Sequence, residues 1–313
     1  MLKAKMIKGS ALLTSLFIMT LVAIVATAMS TKVQLDIYRT KLIVTHDRLY
    51  LASQAVPFWA LGQLADKKNK FTKATPQGIV SLYPSNMENT YNTVTLKGGL
   101  YDLQALYNIN NLGNRKAMLG FINLIGTVIP QNAESEKVKL TLAINDWLSV
   151  YDLARGKDNY LSYYTSQKPP YYPSHQFMSS KSELRLVKDV NAPLYLALEP
   201  LITALPEATP ININTAPLKV LKSLSSGMKE TQLNELIKAR KENGIKDLGT
   251  ISELLKKLDI ANDQITLEST YFLSVAYATS ENLNLTVYTL FKRTKDKNGK
   301  ISVNVIRQSF NVY

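Results

Sequence analysis

The sequence predicts an α+β protein: a long N-terminal helix packed on an antiparallel sheet, with a large inserted α-helical domain interrupting the sheet. Three observations lead there. Residues 9–31 carry no charge, and an apolar stripe at helical spacing continues beyond them. Alternating, strand-like segments occur once early, at Tyr91–Leu96, and three times at the end of the chain. The residues between those two groups carry mainly helical signals. Strands that flank a helical middle describe one sheet with an insertion.

The uncharged run comes first. Its 23 residues, Gly9 to Thr31, would rise roughly 34 Å as a helix, enough to cross a bilayer core of about 30 Å. Lys3, Lys5 and Lys8 precede it, which predicts a cytoplasmic N-terminus and an exported remainder. Three readings compete: a secretory signal cut after Ala26-Thr27-Ala28, a plain anchor, or a leader cut between Gly9 and Ser10 that keeps the apolar run. From Leu35 the series Leu35, Tyr38, Leu42, Thr45, Leu49, Ala52, Val56 and Trp59 steps by three and four. The helix is therefore expected to reach about Ala65, about 85 Å in all, with a kink near Pro57. Lys67–Gly78 reads as a loop.

Composition narrows the function classes. The 313-residue length suggests two domains. With no cysteine there can be no disulfide, thiolate metal site or cysteine nucleophile. The net charge of +13 comes from scattered Lys and Arg without a run of five like charges, which reads as solvated surface. His46 and His175 are the only histidines and form no pair at metal spacing. No nucleophile set or phosphate loop is visible, so an enzyme is not expected.

After the Tyr91 segment comes Gly99–Leu112, GLYDLQALYNINNL. Asp102, Gln104, Asn108, Asn110 and Asn111 stand out there, and the short Asp and Asn side chains among them can bond nearby backbone where the chain turns. Leu119–Ile129 and Lys137–Leu148 read as helices, the second ending in Asn145-Asp146-Trp147. Tyr160–Val187 is a Tyr- and Pro-rich loop whose Ser180-x-x-Glu183 is a capping box. Asn191–Pro210 reads as a hinge between two helical subdomains, about 105–190 and 210–262. Asn214 or Thr215 is expected to cap a helix with Pro217 in its first turn and Leu218, Leu221 and Leu224 inward.

Helices at Glu230–Asn243 and Ser252–Leu258 follow. Asn214-Thr-Ala216, a helix, then Ile237-x-x-Arg240-x-x-x-Gly244 is similar to helix-hairpin-helix DNA-binding modules. Its hairpin has a single Gly, and residues 212–258 hold nine Lys or Arg against five Asp or Glu. A membrane-anchored DNA-binding protein thus stands as the alternative. Strands at 271–278, 283–292 and 301–310 close the chain, the last two joined by the turn Asp296-Lys-Asn-Gly299.

Five segments in order resemble the minor pseudopilin K family of type II secretion. They are the leader and apolar run, the Asp102-Leu-Gln104 stretch, Asn145-Asp146-Trp147, Ser180-x-x-Glu183-Leu-Arg185-Leu-Val, and Asn212-x-Asn214-Thr215-Ala216-Pro217. The resemblance implies a pilin-like fold: leader 1–9, transmembrane helix 10–31, its continuation 32–66, first part of the pilin-like domain 67–104, insert 105–268, final strands 269–313. It implies cleavage between Gly9 and Ser10 by a prepilin peptidase and N-methylation of Ser10. Thr14 replaces the Glu that most pilins carry. It further implies a single-pass inner-membrane protein, N-terminus cytoplasmic and C-terminal domain periplasmic. Such a subunit caps the pseudopilus tip beside the I, J and H minor pseudopilins, helps initiate it and serves secreted substrates; no nucleic acid is implied. The family holds calcium near the Trp. Here Ser149 and Tyr151 stand where acids are expected, and Lys157 lies among the remaining Asp146, Asp152 and Asp158. Calcium wants about six to eight oxygens, so no metal or other cofactor is expected.

Overall fold

The computed structural model describes residues 6–89, 91, 93–131, 133–150, 160–240, 243–281 and 283–313, with backbone alone for residues 6–9. Helix α1 spans Met6–Ser53 and α2 spans Ala55–Ala65. The break between them lies at Gln54, because Pro57 has no N–H to donate to the carbonyl of Ser53. From Ser10 the helix is long and apolar enough to cross a membrane, and that apolar window is exposed within the chain. The predicted stripe divides in two. Its members Leu49, Ala52 and Val56 are buried, as are Ala60 and Leu64 beyond them, whereas Leu35 and Tyr38 are exposed, with no partner surface among the described residues.

Five strands form the main sheet: β1 (Ile79–Leu82), β2 (Thr95–Asp102), β7 (Tyr271–Ser280), β8 (Leu283–Lys295) and β9 (Ile301–Phe310), adjacent in that order and all antiparallel. Strand β1 was not anticipated: its four residues are too few to establish an alternating pattern. The early strand also starts later than predicted. Tyr91 and Val94 form only an isolated bridge, and the ladder runs from Thr95 through Gly98 and Gly99 to Asp102. Gly98 is needed there because a Cβ would lie 2.6 Å from the Val275 carbonyl oxygen and 2.7 Å from Val56 Cγ1. That close approach lets α2 lie flat on the sheet, over Leu96, Ala276, Ala278, Leu285 and Val287 at one end and Leu100, Phe272 and Phe291 at the other.

Helix and sheet run in a defined relative direction. Lys41 on α1 pairs with Glu281 just beyond β7, while Leu64 and Phe71 pack with Phe272 near its start. The sheet therefore lies alongside the second half of the helix. Asp102 pairs with Phe272, so the insert leaves the sheet at the end far from the apolar run.

The insert contains β3 (Tyr107–Asn108), α3 (Arg115–Val128), α4 (Glu134–Leu148), α5 (Leu161–Thr165), α6 (Ala192–Leu198), β4 (Ile202–Thr203), β5 (Ile211–Asn212), α7 (Leu218–Ser223), α8 (Glu230–Arg240), α9 (Ser252–Lys257) and β6 (Ile265–Thr266). One hydrophobic cluster runs through it from Tyr107 to Ile265. The segment 191–210, expected as a hinge, is instead packed: Leu194, Leu198, Leu201 and Ile202 join that cluster, and β4 pairs in parallel with β3. Two of its four prolines serve helix starts, Pro193 in the first turn of α6 and Pro200 in a 3-10 turn.

Candidate functional site: the junction of sheet and insert

Where β2 ends, Asp102 is wholly buried among four donors. Its Oδ1 accepts from the Gln104 amide at 2.9 Å; its Oδ2 accepts from Thr215 Oγ1 at 2.6 Å, Ser269 Oγ at 2.7 Å and Asn212 Nδ2 at 3.1 Å. One carboxylate thus ties the chain entering the insert, the strand that recrosses it and the chain returning to β7. Burial pushes this carboxyl above its usual range, outweighing the hydrogen bonds that pull it down. Gln104 doubles the tie: Nε2 donates to the Pro210 carbonyl at 3.0 Å, and Oε1 accepts from the amides of Thr270 and Tyr271.

The asparagines continue the scheme. Asn110 accepts from the Met178 amide at 2.9 Å and donates to the carbonyls of Met178 and Leu205 at 3.0 and 2.7 Å. Asn111 clasps both backbone groups of Thr209, and Asn214 clasps both of Ile245. A carboxamide presents one acceptor and two donors at fixed spacing, so it can satisfy buried backbone as a neighbouring strand would. The insert's strands are only two residues long, which leaves this work to side chains. On the rim, Glu207 Oε1 accepts from Tyr271 Oη and Lys292 Nζ, both at 2.7 Å, a second latch from insert to sheet. The Lys292 hydrogen bond chiefly holds the Glu207 carboxyl below its usual range.

The other predicted residues fall into two separate places. Trp147 is buried at the end of α4 against Tyr164 and Tyr171, with ring centroids 5.4 and 6.4 Å away. Asn145 and Asp146 flank it, half-buried; Ser149 bonds back to the Asn145 carbonyl. Asp152 and Asp158 lie outside the described residues, and among those described no group of three His, Cys, Asp or Glu could hold a metal. Glu183 completes the expected capping box by accepting from the amides of Ser179 and Ser180, though the turn it opens is 3-10 rather than α. Arg185 stacks over Tyr195 at 5.5 Å.

The expected cap of α7 is corrected. Pro217 occupies the N-cap position without a side-chain bond, because Thr215 has been drawn to Asp102 and Asn214 to Ile245. Leu218 is also exposed; Val220, Leu221 and Leu224 form the inner face. Arg240, the cation of the helix-hairpin-helix pattern, points inward and donates to the Ala216 carbonyl at 2.8 Å, and burial pulls its guanidinium down to about 10. It is spent on packing, not turned toward a phosphate.

Residues 100–207 and 211–268 match two family descriptions of type II secretion system (T2SS) protein K, which together cover just over half of the chain. The chain belongs to the type II secretion system protein K family. The first matched segment contains Asp102 and Gln104 and the second contains Asn212 and Thr215, while Ser269 lies just past its end. Among relatives bearing that family name, the one from Aeromonas hydrophila is 29% identical over 228 residues, 66% of each chain. The one from Klebsiella pneumoniae is 31% identical over 136 residues, 40% of this chain and 41% of that one. The chain thus spans just under two thirds of the first relative and about two fifths of the second. In fold it is similar to a chain of the crystal structure of the GspK-GspI-GspJ complex from enterotoxigenic Escherichia coli. The TM-score is 0.68 at 20% identity, covering 88% of this chain and 100% of that one.

Sequence reasoning missed Ser269, Glu207, Thr209 and the backbone of Met178, Leu205 and Ile245. For all but the Glu207 latch, one side of each pairing carried a signal, namely Asp, Asn and Gln standing inside apolar stretches.

Proposed function

We propose that this chain is a minor pseudopilin of type II secretion that caps the pseudopilus tip and takes part in its initiation. The observation that carries this reading is the place of the insert. It is built onto the sheet at the end far from the apolar helix run, through the Asp102 junction. A subunit with such a bulk at that end leaves no room for another above it. The exposed first half of α1 supplies the surface that would pack beside neighbouring pseudopilin helices in the inner membrane and filament, the domain lying in the periplasm.

Thr14 supports the tip position. Its hydroxyl is turned back onto the carbonyl of Ser10 in its own helix, so this position presents no carboxylate to a subunit ahead. Partners on this reading are the I, J and H minor pseudopilins and the prepilin peptidase, with secreted proteins as cargo. The protein's work is packing rather than catalysis.

The test is the N-terminal mass of the protein made with and without a prepilin peptidase. The reading expects a chain beginning at N-methylated Ser10, and no processing or secretion for Gly9→Ala. Normal secretion by Gly9→Ala would overturn it.

A further inference from the structure

The positive charge that looks scattered along the sequence is gathered by the fold. Residues 66–73 and 292–300 together hold nine Lys or Arg against two Asp, more than half of the chain's net +13. The first segment follows α2; the second carries the turn joining β8 to β9. Arg293 binds them together, donating to the carbonyls of Leu64 and Asn69 at 2.8 and 3.1 Å while lying over the Phe71 ring at 5.7 Å. The turn itself is fixed: Asp296 Oδ1 accepts from the amides of Asn298 and Lys300, and Gly299 takes a φ of +74°. Lys70 and Lys292 are paired, with Glu268 and Glu207. The other six, Lys67, Lys68, Lys73, Lys295, Lys297 and Lys300, are exposed and make no salt bridge among the described residues.

We propose that this lysine-rich end is a docking surface for an acidic protein surface, one bearing clustered Asp and Glu. Unpaired like charges on a fixed frame repel one another, and an opposite charge relieves that repulsion while steering association. Two other anions fit less well. For nucleic acid, the only aromatic ring in the two segments, Phe71, is covered by Arg293 and Phe272, so no base can stack there. The only arginine is committed to carbonyls, which leaves no bidentate phosphate fork. For lipid, the end of the apolar run at Thr31 lies about 50 Å along the helix from Asp66, whereas charge is screened within about 8 Å. The membrane that holds the helix cannot reach these lysines.

The test uses the full chain in detergent micelles and a fluorescent poly-L-glutamate peptide as probe, titrated across NaCl concentration. Reversing Lys67, Lys68, Lys295 and Lys297 to Glu is expected to weaken binding at least tenfold. Reversing four exposed insert lysines, Lys219, Lys229, Lys238 and Lys257, changes net charge equally and is expected to weaken it less than threefold. Equal losses in the two sets would reduce the effect to net charge and overturn the proposal. Tighter binding of a 20-base-pair duplex DNA, or of phosphatidylglycerol vesicles, lost on the first set of reversals, would overturn it in favour of those anions. None of these outcomes depends on the secretion role, which the leader-processing test addresses separately.

Discussion

Replacing Asn110 by Ala removes three hydrogen bonds from the interior of the insert and fills none of them. The amide of Met178 and the carbonyls of Met178 and Leu205 would stand buried without their side-chain partner. Each buried backbone group left unsatisfied costs about 1–3 kcal/mol. Taking the lower part of that range for three groups gives a loss of about 3–5 kcal/mol, a large share of the roughly 5–15 kcal/mol that holds a domain folded. The chain offers a convenient reporter, since Trp59 lies on α2 and Trp147 inside the insert. In a Trp59→Phe background, urea unfolding followed by tryptophan fluorescence reads the insert alone. Asn123→Ala is the control, because that half-buried side chain makes only two bonds, both 3.2 Å, to the Ser223 carbonyl and to the hydroxyl of exposed Ser226, which water can replace in part. It should cost less than about 1 kcal/mol. A loss below about 1 kcal/mol for Asn110→Ala would refute the claim that carboxamides stand in for strands here.

Three further outcomes rest on the same geometry. Gly98→Ala should destabilise the sheet by about 1–3 kcal/mol through overpacking, and Val56→Ala should recover part of that loss if the helix–sheet approach is the cause. Because the Asp102 carboxyl is raised in the folded state, folding holds its proton; wild-type stability relative to Asp102→Asn should fall as pH rises from the ordinary carboxyl range through the raised value, then level off. Denaturation midpoints of both proteins against pH measure this, and an opposite slope would show that the hydrogen bonds outweigh burial. Ser180→Ala should cost about 1 kcal/mol by removing one half of the capping box, seen as a lower thermal midpoint.

Whatever rests on local periodicity could be read from the sequence. The apolar run, the second half of the stripe on α1 and α2, the helices α3 and α4, the hairpin at Asp296–Gly299 and the Ser180–Glu183 box are short-range patterns, and each stands where expected. The family resemblance too was legible, because its motifs occur in order along the chain. What lay beyond reach was pairing between distant residues. Nothing near Asp102 in sequence announces Thr215 or Ser269, and nothing near Lys67 announces Lys297. Those encounters cost loop-closure entropy that local propensity does not register, and they are decided by which backbone groups need partners once the core has closed. For the same reason a prolyl segment that reads as a hinge becomes wall, and two lysine-rich segments far apart in the chain become neighbours.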